Sequence, residues 1–253
     1  MSNLEIGGLL PFTTIDFPGK LACVLFLQGC PLRCKYCSNP DLLEFKQGKY
    51  DPEKILGFLK KRIGKLEAVV FSGGEALMQG DSLIDYIKQI RKLGFAIGIH
   101  TNGFYPDVLK KILPLIDWVG LDFKASQKNY KNLTGSDTAA QLAIQSLDIL
   151  LEWSIESANR KLSGKKSVDR KLFGRKFECR TTADPRFISK KDLLEVASFL
   201  SKRGVKHYAV QKYQPHFEKE SEQTTEADRG QFFTDPKLRK QIEKLFETVT
   251  WRE

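Results

Sequence analysis

The chain has 253 residues, 41% apolar and 11% aromatic, and its 41 basic side chains outnumber 31 acidic ones for a net charge of +10. That composition excludes a disordered or fibrous chain and provides for a full apolar core. The opening MSNLEIGG lacks the basic flank and apolar run of a secretion signal, and the longest apolar run, 21–27, is far too short to cross a bilayer, so a soluble, cytoplasmic protein is expected.

In chain order, short β-rich runs alternate with amphipathic stretches. Strands are predicted at 21–27, 68–71, 95–99, 118–123, 177–181 and 207–211, with helices at 52–62, 82–93, 106–113, 138–153 and 190–202. Leu142, Leu147, Leu150 and Leu151 share one face of the fourth helix. Pro52 and Pro106 stand at helix starts, Gly94 and Gly204 at helix ends. Repeated strand–helix units predict an α/β fold with a parallel sheet and right-handed crossovers. Six such units fit a partial (β/α)6 barrel over residues 1–215, with functional groups at the carboxyl ends of the strands.

The segment 154–176 interrupts this order. It holds eight Lys or Arg against Glu156 and Asp169 and few apolar residues, and it reads as an exposed, mobile basic insertion. Residues 216–253 are polar until Pro236, then amphipathic through Leu238, Ile242, Leu245 and Phe246, and end in TVTWRE, an expected edge strand.

Three of the five cysteines fall in CPLRCKYCSNP, residues 30–40, directly after the first predicted strand. An odd number of cysteines without a secretion signal makes a disulfide framework a poor explanation and favours metal or redox chemistry. Cys30, Cys34 and Cys37 form C-x3-C-x2-C, and thiolates at this spacing can meet one face of a metal centre. Structural zinc normally takes four closed ligands. Cys23 and Cys179 lie inside strand runs, where cysteine behaves as a small buried hydrophobe. A cubane iron–sulfur cluster with three cysteine ligands leaves one iron open.

The motif, with Tyr36 as the aromatic residue before its last cysteine, resembles that of the radical S-adenosylmethionine (SAM) enzymes. The resemblance implies one [4Fe–4S] cluster on Cys30, Cys34 and Cys37, with SAM at the open iron. It continues through Ser72-Gly73-Gly74-Glu75, whose backbone would receive the methionyl amino group, and through Thr101 and Asn102 as pocket residues. Asp122 and Lys124 form the D-x-K that contacts the cosubstrate in activases, and the period of two places them on one side of a strand. Arg180 would meet the carboxylate or ribose, and Gln211 or Gln214 would line the pocket. Cosubstrate contact is preferred for Asp122 and Lys124 over a surface ion pair, and for Arg180 a structural ion pair stands beside the contact reading. Relatives often carry Asp where His100 stands and His where Ser38 stands; His100 is therefore read as a satisfied side chain with no direct cosubstrate contact.

TTIDFPGKLACVLFLQGCPLRCKYCSNP, with FSGGEALMQ, TNG, DFKA, LTG and RTT, is similar to the activating proteins of anaerobic ribonucleoside-triphosphate reductase. The implied chemistry is reductive cleavage of SAM to methionine and a 5′-deoxyadenosyl radical, which takes a hydrogen atom from a glycine Cα of the reductase. A flavodoxin or ferredoxin-type protein is the expected electron donor, and the basic insertion reads either as its docking segment or as a plain tolerated surface loop. A pyruvate formate-lyase-type activase or a 7-carboxy-7-deazaguanine synthase is the alternative within this chemistry. Outside it stands a zinc-stapled nucleic-acid-binding module, against which the insertion offers no interleaved aromatic residue but Phe173.

Overall fold

The computed structural model describes residues 4–162, 177–214 and 230–253. Residues 163–176 of the expected insertion, and residues 216–229 of the polar stretch, lie outside the described residues. The chain is an α/β protein with an eight-stranded, mostly parallel sheet whose strand order follows the chain. It folds as two compact units, Met1–Pro31 with Asn39–Gly120, and Leu32–Ser38 with Leu121–Glu253.

In the first unit, strand β1 (Ile6–Thr13) runs antiparallel to β2 (Ala22–Leu27), and β3 (Ala68–Gly73) and β4 (Ala96–Thr101) follow in parallel. Helix α1 (Pro52–Lys60) connects β2 to β3, α2 (Gly80–Lys92) connects β3 to β4, and α3 (Pro106–Ile112) precedes β5 (Trp118–Asp122). The sequence reading contains no β1, because Gly7, Gly8 and Pro11 argue against a strand. The strand forms first in the strand order, at the sheet edge, where the N–H that proline lacks can be spared.

Alternate residues of the strands build a small core of Ala22, Val24, Ala68 and Val70 around Phe17 and Trp118, whose rings lie 5.7 Å apart. Phe17 comes from the DFPGK stretch ahead of β2. Room for it exists because Gly98 has no side chain: a Cβ there would stand 3.0 Å from the Phe17 ring and 3.1 Å from Val70. His100 packs edge-on against Trp118 at 5.4 Å, and its Nε2 lies 3.0 Å from the Asp16 carbonyl. A carbonyl only accepts, so Nε2 carries the proton.

The second unit contains α4 (Gln127–Thr134), α5 (Ala139–Leu162), β6 (Phe177–Ala183), α6 (Lys190–Lys202), β7 (His207–Lys212), α7 (Pro236–Glu243) and β8 (Thr248–Arg252). Strands β6, β7 and β8 pair in parallel, so TVTWR is the strand expected from the sequence. Helix α5 runs to Leu162, past the point where the sequence reading begins the insertion. The unpredicted α4, a polar segment of weak propensity, forms because it buries Tyr130, Leu133 and Thr134 and closes on Gly135 in the left-handed conformation. Phe123 stacks on Phe199 and meets the edge of Tyr130 at 5.5 Å, joining β5, α4 and α6. Among the described residues, no helix is long and apolar enough to cross a membrane.

Phe17→Ala empties this core and is expected to cost about 3–5 kcal/mol of unfolding free energy in denaturant titration. Phe12→Ala, at a ring 54% exposed on β1, should stay within about 0.5 kcal/mol of the parent.

Candidate functional site

The predicted site residues fall into two groups, one in each unit. The first gathers at the carboxyl ends of β2, β3 and β4. Past β2 the chain turns at Gly29, with φ of 93°, into Cys30. The Gly29 and Cys30 amides donate to the Leu42 and Leu43 carbonyls at 2.8 and 3.0 Å, and the Gly29 carbonyl accepts the Glu75 amide at 2.7 Å. The Gly73-Gly74 pair makes this crossing possible. A Cβ on either glycine would fall 2.2 Å from a backbone atom, Leu27 N or Gly29 O, and Gly73 has φ of 120°. In this structure both glycines therefore serve the approach of one strand end to the next.

The Glu75 carboxylate is 1% exposed and makes three hydrogen bonds. Its Oε1 accepts from the Leu77 amide at 3.1 Å and the Thr101 hydroxyl at 2.7 Å, and its Oε2 accepts from the Asn102 amide at 2.7 Å. A buried carboxylate without such donors would be costly. Thr101 in turn accepts from the Gly103 amide at 3.0 Å, and Asn102 reaches toward Cys30, with Nδ2 to Sγ at 3.8 Å. Ser72 lies half-buried near the end of β3, opposite Phe26 in the ladder. Sequence reasoning treats Glu75, Thr101 and Asn102 as pocket residues; the structure brings them together and turns Glu75 and Thr101 toward each other.

The second group begins with the rest of the cysteine segment. The Arg33 amide donates to the Thr134 carbonyl at 2.9 Å and the Lys35 amide to the Leu133 carbonyl at 3.0 Å. These are last-turn carbonyls of α4, which a helix leaves without internal partners. The LTG motif thus anchors Cys34 and Cys37, a role no sequence pattern announces. Cys34 and Cys37 form a turn, with the Cys37 amide donating to the Cys34 carbonyl at 3.1 Å.

Tyr36 is buried, its hydroxyl 3.4 Å from the Lys124 carbonyl and its ring 5.9 Å from Lys124 Nζ. Asp122 stands between two cations, with Oδ2 3.6 Å from Lys124 Nζ and Oδ1 accepting from Arg180 Nε and Nη2 at 2.9 and 2.8 Å. Arg180 is 5% exposed and Lys124 14%, while the Asp122 side chain between them is 33% exposed, so the triad is part-buried and not a surface pair. Burial works against the Lys124 charge, but Asp122 and, after it, Cys34 hold its pKa above the usual lysine value, and it stays cationic. Burial raises the Cys34 thiol, with Lys124 pulling the other way.

Past β6, buried Asp184 grips Arg186 through two carboxylate oxygens, and the guanidinium lies 5.1 Å over Phe187 and 4.9 Å over Tyr213. Sequence reasoning missed this cluster, whose only signal is Asp-Pro-Arg-Phe after a strand. Gln211 is half-buried on β7 and Gln214 is exposed.

None of the five cysteines is in a disulfide. Among the described residues no three His, Cys, Asp or Glu side chains already form a metal-holding group. Thiolate ligands commonly take their final arrangement as the metal binds, because ordering and binding are coupled.

Residues 24–160 match the model of the radical SAM superfamily. A Methanocaldococcus jannaschii protein named as a glycyl-radical enzyme activating enzyme is 30% identical over 83% of this chain and 80% of its own length. The pyruvate formate-lyase-activating enzyme of Clostridium pasteurianum is 38% identical over 48% of the chain, and the match spans 53% of that enzyme. Among solved structures, TYW1 with a lysine–pyruvate adduct bound shares the fold with a TM-score of 0.59 at 20% identity, covering 88% of this chain and 73% of that one. Streptococcus suis SuiB bound to S-adenosylmethionine shares it with a TM-score of 0.57 at 12% identity, over 88% of this chain and 47% of that one.

Two predictions follow from this geometry. Glu75→Ala strands the buried Leu77 and Asn102 amides at about 1–3 kcal/mol each, read as a lower unfolding free energy. Burial pushes the Cys23 thiol up to about 12 and raises Cys179 as well, so both stay protonated at pH 8. Alkylation of the native, metal-free chain at that pH should label the partly exposed Cys37 and, more slowly, Cys34, whose thiol burial also raises, and should spare the fully buried Cys23 and Cys179 in the mass spectrum until the chain is unfolded.

Proposed function

The chain belongs to the radical SAM superfamily and to its glycyl-radical enzyme activases, which work with a [4Fe–4S] cluster and S-adenosylmethionine, and on that premise we propose that it installs a glycyl radical on anaerobic ribonucleoside-triphosphate reductase. The observation that carries the reading is the segment of three cysteines outside any disulfide, fastened at Gly29 and Cys30 to the Leu42 and Leu43 carbonyls and at Arg33 and Lys35 to the end of α4. The donor set fits the cluster: three thiols from one short segment, with no fourth cysteine beside them in sequence, leave one iron for the cosubstrate. When bound, the cluster supplies the electron that breaks the S–C5′ bond of SAM and so the acceptor for a hydrogen atom from a glycine Cα.

The chain's own residues bind and orient. Cys30, Cys34 and Cys37 would hold the cluster as thiolates. Lys124, kept charged by Asp122, would contact the cosubstrate, and Arg180, held by the same aspartate, would offer its guanidinium to the carboxylate or ribose. Tyr36 would be the aromatic residue beside the cosubstrate, and the backbone from Ser72 to Glu75 with Thr101 and Asn102 would take the amino group. In this reading no side chain has to move a proton.

The reductase as partner rests on DFPGK, FLQGC and CSNP around the cysteines. A second reading, pyruvate formate-lyase as partner, draws on the similarity to the Clostridium activase. An acidic flavodoxin or ferredoxin-type donor suits the net charge of +10.

Anaerobic incubation of the reconstituted chain with SAM, a reductant and each purified partner is expected to give a glycyl-radical doublet in the electron paramagnetic resonance (EPR) spectrum of the reductase alone. A doublet only on pyruvate formate-lyase overturns the choice of partner, and none on either overturns the activase reading. Cys30→Ala, Cys34→Ala and Cys37→Ala should each lower bound iron from about four per chain toward zero, with the circular dichroism of the fold retained.

A further inference from the structure

Three contacts define what the Asn102 side chain does. Its backbone amide donates to buried Glu75 at 2.7 Å, its Oδ1 accepts from the Phe104 amide at 3.0 Å, and its Nδ2 lies 3.8 Å from Cys30 Sγ. The oxygen and nitrogen of an asparagine amide are assigned by their partners. The assignment here is forced: a backbone N–H can only donate, so the oxygen faces Phe104 and the NH2 group faces the sulfur. Asn102 is 6% exposed, so bulk water competes little for that NH2 group. Glu75, itself fixed by Leu77 and Thr101, holds the Asn102 backbone and with it the direction of the amide.

Hydrogen bonds to the ligand sulfurs are among the features that set the reduction potential of an iron–sulfur cluster, because they stabilise the more negative, reduced state. We propose that Asn102 is a positioning residue that acts through Cys30: its Nδ2–H donates to Cys30 Sγ and raises the reduction potential of the cluster above that of a site without this donor. The proposal rests on the reading that Cys30 is a cluster ligand, and it gives Asn102 a task separate from cosubstrate contact. Glu75 supports the same task at one remove, since it carries the Asn102 amide.

The test needs neither SAM nor a partner protein. The full chain is reconstituted anaerobically and its cluster titrated potentiometrically, with the reduced form followed by low-temperature EPR. Asn102→Ala removes the donor. Asn102→Asp keeps an oxygen for the Phe104 amide and replaces the donor with an acceptor. Both are expected to bind about four irons, as the parent does, and to show a midpoint potential shifted to more negative values. Parent and variants that load fully and share one midpoint overturn the Asn102 assignment while leaving Cys30 as a ligand. A parent that takes up no iron overturns the ligand reading itself. Should neither variant fold, the parent labelled with 15N in its asparagine side chains decides: pulsed EPR of the reduced cluster is expected to show a side-chain 15N coupling, and its absence overturns the proposal.

Discussion

Burying a carboxylate is among the costlier things a fold can do, and the first unit is organised around one. Removed from water, the Glu75 carboxylate must be met by donors with correct geometry. The Leu77 amide, the Thr101 hydroxyl and the Asn102 amide meet it, and they come from two different strand ends. Satisfying one charge therefore fixes the distance between the end of β3 and the end of β4. The Gly73-Gly74 crossing then sets how closely the end of β2 can lie. Once these ends are placed, Cys30 and the Asn102 side chain have little freedom left.

The second unit solves a similar problem with different groups. Helix α4 ends with carbonyls that need donors, and the cysteine segment has amides that need acceptors. Their pairing holds Cys34 and Cys37 without committing the thiols. The ion triad of Lys124, Asp122 and Arg180 works on the same principle, since the two largely buried cations share one partly exposed carboxylate. A single aspartate thereby holds both cations in place.

The sequence carried the strand–helix alternation well, because buried parallel strands are continuous apolar runs and several helices open on a proline or a capping side chain. Helix 190–202 falls at its predicted limits, where Ser189 and Asp192 form a capping box. The reading failed where tertiary contacts overrule local preference. Strand β1 contains two glycines and a proline, and α4 is polar, yet each has a neighbour that completes it. The site divides along the same line. Cysteine spacing and D-x-K are written in the chain, because local spacing carries them. The Asn102 contact with Cys30, the anchoring of the cysteine segment by α4, and the Arg186 cluster join residues far apart in the chain, and no local pattern records them.

The tie between the cysteine segment and α4 also has a meaning in time. Arg33 and Lys35 bond to carbonyls that lie roughly a hundred residues downstream. During synthesis at about 5–20 residues per second, Cys34 and Cys37 emerge several seconds before the helix that will hold them exists. Throughout that interval the segment is a pair of unanchored thiols, open to oxidants and to whatever metal ions the surroundings offer. The order in which the chain is made therefore favours late loading, with the cluster arriving after α4 has formed.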